Sequence, residues 1–208
     1  MAKKGLIIVI SGPSGAGKTT VCKEILKRRK NTVFSVSVTT RKPRNGEIDG
    51  KDYFFISEKK FKRMLKNNEL IEWAFVHNNY YGTPKKFLHR TINSGKDIIL
   101  DIDVQGGMKI KKFFPEGIFI FLMPSSWKVL EQRIRKRAQD DEKTIKVRLK
   151  NAKKEISYIS DYTYFVINDK LENAVKSIIS IIEAEHRKIS RLKDEIKSIV
   201  QRTCNSRI

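Results

Sequence analysis

Apolar and polar positions change rhythm repeatedly along this chain. Short, largely apolar runs at Leu6–Ile10, Val33–Val36, Asp97–Ile102, Ile118–Leu122 and Tyr164–Ile167 lack in-out alternation. That is the pattern of parallel strands buried on both faces. Between them, apolar residues recur at three- and four-residue spacing, as at Val21, Ile25 and Leu26, or at Leu171, Val175, Ile178, Ile179 and Ile182. This spacing predicts helices beginning near Lys18, Val104, Ser126, Glu142 and Leu171. The alternation implies βαβ units and an α/β fold, a parallel sheet flanked by helices.

Residues 35–95 break the rhythm. Arg41-Lys42-Pro43-Arg44-Asn45-Gly46 is basic and turn-rich, and Tyr53–Ile56 is a short aromatic strand. Ser57 can cap a helix with Phe61, Met64 and Leu65 on its apolar face. Leu70–Val76 reads as a strand and Asn78–Gly82 as a turn. The span predicts a small mixed insertion, long enough to grip a second ligand. A further break lies between Arg133 and Arg148, where Asp140-Asp141-Glu142 suggests a mobile flap between two helices. Beyond His186 the apolar positions thin to Ile189, Leu192, Ile196 and Ile199. A continuing, charged helix whose last six residues fray is expected there.

Directly after the first strand stands Gly12-Pro13-Ser14-Gly15-Ala16-Gly17-Lys18-Thr19, which fits the phosphate-loop pattern G-x-x-x-x-G-K-[ST]. Glycines let the backbone wrap an anion with its N–H groups inward. Lys18 can reach β- and γ-phosphates, and the Thr19 hydroxyl can ligate Mg²⁺. Strand, loop and helix follow in the right order, placing the phosphate at a helix N-terminus, where dipole and free N–H groups favour negative charge. A Gly-rich turn without a ligand is the blander reading, and the flanking strand and helix argue against it.

Composition narrows the classes. The 208 residues suffice for one α/β domain. No apolar run approaches a membrane span. Met1–Gly5 leads straight into the first strand without a secretory leader. Cys22 and Cys204 stand far apart, with no C-x-x-C, which fits a reducing cytoplasm and argues against a metal cluster. The formal charge of +21 raises nucleic-acid binding. The lysines are spread along the chain, however, and a protein handling two polyanionic nucleotides also needs a positive cleft. Nucleic acid is therefore not the main partner expected.

The wider set of motifs resembles the guanylate kinase family over about residues 5–185. It comprises Ser11–Thr19, Ser35-Val36-Ser37-Val38-Thr39-Thr40-Arg41-Lys42-Pro43-Arg44, Gly46-Glu47-Ile48-Asp49-Gly50-Lys51-Asp52-Tyr53, Ile71-Glu72-Trp73-Ala74, Asn79-Tyr80-Tyr81-Gly82-Thr83, and Ile99-Leu100-Asp101-Ile102-Asp103-Val104-Gln105-Gly106, in that order. The phosphate loop alone says only that a nucleotide binds; the set is specific. The resemblance implies a P-loop NTPase-type sheet formed by residues 1–34 and 96–185. It implies a GMP-binding subdomain at 35–95, a helical lid at 134–148 and a C-terminal helical extension at 186–208. It further implies a cytoplasmic enzyme of purine metabolism, monomer or homodimer, that transfers the γ-phosphoryl group of Mg-ATP to GMP.

The site residues follow from the same resemblance. ATP would be held by Gly12, Pro13, Ser14, Gly15, Ala16, Gly17, Lys18, Thr19 and Thr20, with Asn168 near the adenine. GMP would be held by Ser37, Arg41, Arg44, Tyr53, Glu72, Tyr81, Thr83 and Asp103. Lys18, Arg41, Arg133, Arg137, Arg148 and Asp101 would serve catalysis, and Thr19 and Asp101 the magnesium, Asp101 through water or by orienting an arginine. The chemistry agrees. Guanine offers two donors, N1–H and the N2 amino group, that one carboxylate can accept, and its O6 accepts from a hydroxyl. Guanidinium forks bind phosphate bidentately. Thr83 departs from the serine common in the family, keeping the hydroxyl and adding a methyl.

Outside the motif, Glu72 would read as a solvated strand residue, Asp101 and Asp103 as helix caps, the tyrosines as packing and the arginines as a solvated face. Arg135 shows how little an arginine here means by itself. A regulatory GTPase would need N-K-x-D, which Asn168-Asp169-Lys170 does not supply. A non-catalytic scaffold relative would have lost phosphate-loop function, whereas Lys18 and Thr19 are intact.

Overall fold

The structure, a computed structural model, describes residues 4–44, 46–76, 78–137 and 142–205. The chain begins with β1 (Ile7–Ser11), α1 (Lys18–Arg28) and β2 (Thr32–Phe34). A smaller group follows: β3 (Val38–Thr39), β4 (Phe54–Phe55), α2 (Glu58–Lys66), β5 (Leu70–Val76) and β6 (Asn79–Pro84). Then come α3 (Lys85–Asn93), β7 (Asp97–Asp101), α4 (Val104–Phe113), β8 (Ile118–Met123), α5 (Trp127–Arg137) and α6 (Glu142–Ile156). The chain closes with β9 (Tyr164–Ile167), α7 (Leu171–His186) and α8 (Lys193–Asn205).

Five strands form a parallel sheet in the order β2-β7-β1-β8-β9. All of β1 is buried, and successive residues point to opposite faces. Ile8 and Ile10 join Ile25 of α1 and Val175, Ile178 and Ile182 of α7. Val9 joins Leu88 of α3, Leu100, Ile110 of α4 and Phe119 on the other face. Each such side chain contributes about 1.5–3 kcal/mol by leaving water. The predicted parallel strands and the five predicted helix starts all appear, with ends shifted by one or two residues. Among the described residues no helix is long and apolar enough to cross a membrane.

The second sheet, ordered β4-β3-β6-β5, is mixed. β3 runs parallel to β4 and antiparallel to β6, and β5 and β6 form a hairpin. Its own small core gathers Val38, Phe61, Met64 and Leu70. Ser57 caps α2 as expected, its hydroxyl accepting from Lys60 N at 3.2 Å.

Three local expectations need correction. Asn79–Gly82 is strand, not turn; Asn78 alone takes the left-handed conformation, with φ of 60°. Tyr80 packs on Phe61, and a Cβ on Gly82 would lie 2.8 Å from Leu70 Cδ1, so this glycine serves close packing within the sheet. Helix α3 was missed, although Phe87, Leu88, Thr91 and Ile92 follow helical spacing after Pro84. Leu88 is buried against the large sheet. The third correction concerns the C-terminus. Rather than running on, α7 stops at His186 and a 3-10 turn at Ile189–Arg191 leads into the separate α8. Buried Glu185 anchors the break, accepting from Tyr164 Oη and pairing with Lys188 and Arg191. Of the expected flap, Asp140 and Asp141 lie outside the described residues.

Candidate nucleotide site

Packing dictates the phosphate loop. Gly12, Gly15 and Gly17 have φ of 146°, 86° and 89°, values that side-chain-bearing residues rarely adopt. A Cβ on Gly12 would stand 2.0 Å from Leu122 O of the neighbouring strand, so only glycine fits. Asn168, at the end of β9, braces the far side by donating to Ala16 O at 2.7 Å. Its own carbonyl accepts from Arg133 at 2.8 Å. Lys18 folds back along the loop, with Nζ 2.7 Å from Gly12 O and 3.3 Å from Pro13 O. A cleft of about 440 Å³ opens beside it, lined by Gly15, Gly17, Thr20, Arg133 and Asn168, together with Lys136, Asp169 and Leu171. Those last three were not anticipated.

The turn from β7 into α4 touches both halves of the site. Asp101 ends β7, and its carboxylate accepts from Thr19 Oγ1 at 2.7 Å. Two residues on, Asp103 caps α4, accepting from Gln105 N and Gly106 N at 2.8 and 3.0 Å. The capping geometry anticipated as its bland alternative is therefore present. Gly106 then faces the second half: a Cβ there would lie 3.3 Å from Glu72 Oε2.

Glu72 is 8% exposed and accepts from Thr83 Oγ1 at 2.6 Å. Pairing of β5 with β6 puts the two residues opposite one another. Burial pushes the Glu72 carboxyl above the usual glutamate range; the Thr83 hydroxyl pulls it part of the way back, and Asp103 adds to the rise. A buried carboxylate with one hydroxyl partner retains acceptor capacity for a donor-rich ligand. Ser37 lies at the same sheet, its carbonyl accepting from Phe54 N at 2.8 Å.

Arg41 is held on three sides. Glu47 accepts two guanidinium bonds, at 2.9 and 2.8 Å, and the rings of Tyr53 and Phe55 lie 5.4 and 5.7 Å from its Cζ. Tyr53 in turn meets Tyr81 edge-on at 6.0 Å. Glu47 also accepts the backbone N–H of the exposed Arg44, at 2.7 Å. Its organising role was missed, because a glutamate in a basic turn looks like a solvent-facing charge.

The arginines of the C-terminal half separate clearly. Arg133 braces Asn168, and Arg148 is partly buried on α6. Arg135 is spent on exposed pairs with Glu131 and Glu142. The Arg137 side chain lies outside the described residues. Glu155, also unanticipated, reaches from α6 to accept the Ser14 amide at 3.2 Å.

Comparison with known proteins decides the family. A sequence model of guanylate kinase matches residues 4–185. The chain belongs to the guanylate kinase family. Guanylate kinase of Clostridium tetani is 52% identical over 194 residues, covering 93% of each protein. That of Caldanaerobacter subterraneus subsp. tengcongensis is 50% identical over 192 residues, covering 92% of this chain and 93% of the relative. The crystal structure of guanylate kinase from Anaplasma phagocytophilum superposes with a TM-score of 0.76 at 36% identity, covering 95% of this chain and 96% of that one. The guanylate kinase fold and the phosphate loop thus occur together in this chain.

Proposed function

We propose that the chain phosphorylates GMP at the expense of ATP, with the phosphate loop as donor site and the small sheet as acceptor site. The observation that carries this reading is the β7–α4 turn. It puts Asp101 on Thr19 of the loop and Gly106 beside Glu72 of the sheet, so two sites of different chemistry share one wall.

On the donor side, the loop backbone and Lys18 bind the ATP phosphates. Thr19 and Asp101 fit a magnesium ion: a hydroxyl and a carboxylate 2.7 Å apart are hard oxygen donors, Asp101 acting through water. When bound, the ion neutralises charge on the β- and γ-phosphates. Asn168 and Arg133 shape the cleft beside the loop, which takes the rest of ATP, Thr20 included.

On the acceptor side, Glu72 accepts the two guanine donors and Ser37 supplies a hydroxyl to O6, while Thr83, whose one hydroxyl proton goes to Glu72, orients that carboxylate against the base. Adenine would leave the buried carboxylate unpaired, at a cost of about 1–3 kcal/mol or more. Arg41 and Arg44 bind the GMP phosphate. Tyr53 and Tyr81 add phenolic donors, and Asp103 lies at the edge of the acceptor site. An anionic phosphate oxygen attacks the γ-phosphorus in line, so no general base is needed. Lys18, Arg133, Arg137 and Arg148 stabilise the charge that spreads over the equatorial oxygens.

The test is a coupled ADP-release assay with magnesium and ATP, offering GMP, AMP, UMP and CMP in parallel. ADP release with GMP alone is expected. Equal rates with all four, or none with GMP, would overturn the reading.

A further inference from the structure

Helix α6 carries two residues that the site needs to be considered together. Arg148 and Glu155 stand seven positions apart, almost two full turns, so their side chains leave one face of the helix. The neighbouring stripe, Ile145, Leu149, Ala152 and Ile156, packs on Leu130 and Ile134 of α5. That apolar contact sets the separation of the two helices. Helix packing alone leaves the crossing angle a scatter of about 15–20°, and the roll and slide of α6 along α5 determine where Arg148 stands relative to the phosphate loop.

A directional contact supplies the missing constraint. The Glu155 carboxylate accepts the Ser14 backbone N–H at 3.2 Å, joining the far end of α6 to the middle of the loop. Burial raises the Glu155 carboxyl above the usual range, while Lys18 and the Ser14 amide pull it down. The contact itself is with the Ser14 amide, a charge-assisted hydrogen bond with definite geometry, and the Lys18 charge acts on the carboxylate from a distance.

We propose that Glu155 is a positioning residue for phosphoryl transfer, tying α6 to the phosphate loop so that Arg148 is held in register with the phosphates. This rests on the proposed role of Arg148 in transfer. Glu155 touches no reacting atom in this scheme; it acts through the helix that it anchors.

A double-mutant cycle tests the idea, with kcat and KM for ATP and GMP measured for wild type, Glu155→Ala, Arg148→Ala and the double variant, and thermal melting as a check of folding. Glu155→Ala is expected to lower kcat by about 10- to 100-fold, the scale of a catalytic group misplaced by about 1 Å, with KM for GMP unchanged. In the Arg148→Ala background the same change should cost less than about twofold, because the positioned group is already gone. Glu155→Gln keeps an oxygen acceptor for Ser14 and should recover most of the loss. If Glu155→Ala melts early, Glu155→Asp carries the same cycle. Losses that multiply in the double variant, or an unimpaired Glu155→Ala beside an impaired Arg148→Ala, would overturn the coupling alone. A fully active Arg148→Ala would instead remove the arginine's role, and the inference with it.

Discussion

At the phosphate loop, backbone sterics set the geometry: three glycines with positive φ, one of them against Leu122 O, follow a fully buried strand. On the small sheet the site is made of side chains that hold one another. Glu72 leans on Thr83, and Arg41 on Glu47 and two aromatic rings. The contrast teaches where each half is vulnerable. A backbone site does not tolerate an added Cβ, and it depends on the one lysine that its loop carries. A side-chain site keeps its fold and loses its selectivity when one functional group is exchanged.

Changes at the loop should therefore have the largest effects. Lys18→Ala removes the cation from the proposed donor site and should cost about 10³-fold in kcat, while calorimetric GMP affinity stays within about twofold. Near-normal turnover would show that the loop is not the donor site. Gly12→Ala forces a Cβ into Leu122 O and should destabilise the fold by about 1–3 kcal/mol, read by denaturant unfolding, together with a loss of ATP binding. An unchanged midpoint would mean that the loop shifts freely, contrary to the steric argument.

On the small sheet, Glu72→Gln sharpens the comparison through pH. Burial raises the carboxyl of Glu72 in the fold, so the folded protein holds this proton more tightly than the unfolded chain. The stability contributed by the neutral form is fully present below the ordinary value of 4.5 and is lost as pH rises through the folded value. At pH 7.5, Glu72→Gln should melt at or above the wild-type temperature. That advantage should shrink on acidification towards pH 4. An advantage that grows in acid would mean that the neighbours of Glu72 favour its charged form. The smallest effect belongs to Arg135→Ala, whose ion pairs are solvent-exposed. Its Tm should move by no more than about 2 °C, with unaltered turnover.

The same contrast explains what was legible in the sequence. The parallel strands and the phosphate loop could be read directly, because apolar runs and glycine spacing are local signals. Glu72 and Thr83 meet only through the pairing of β5 with β6, so the resemblance was needed to connect them. Gly82 was misread because glycine marks close packing as well as turns. Glu155 gave no signal, since it contacts a loop at the opposite end of the chain, and Glu47, although within a family motif, lies in a basic turn where its bond to Arg41 cannot be read. The break after His186 depends on Glu185, which continues the spacing of Val175, Ile178 and Ile182 onto the buried face but whose charge argued against burial.

The claim at the centre of the account is that the buried Glu72 carboxylate, held by Thr83, reads the base while the loop holds the donor phosphates. The most direct measurement is the ratio of kcat/KM for GMP to that for AMP, in wild type and in Glu72→Gln. The account predicts that the ratio falls by about 10- to 100-fold, the worth of about 1–3 kcal/mol, with ATP KM unchanged. A ratio equal to that of the wild type would contradict it.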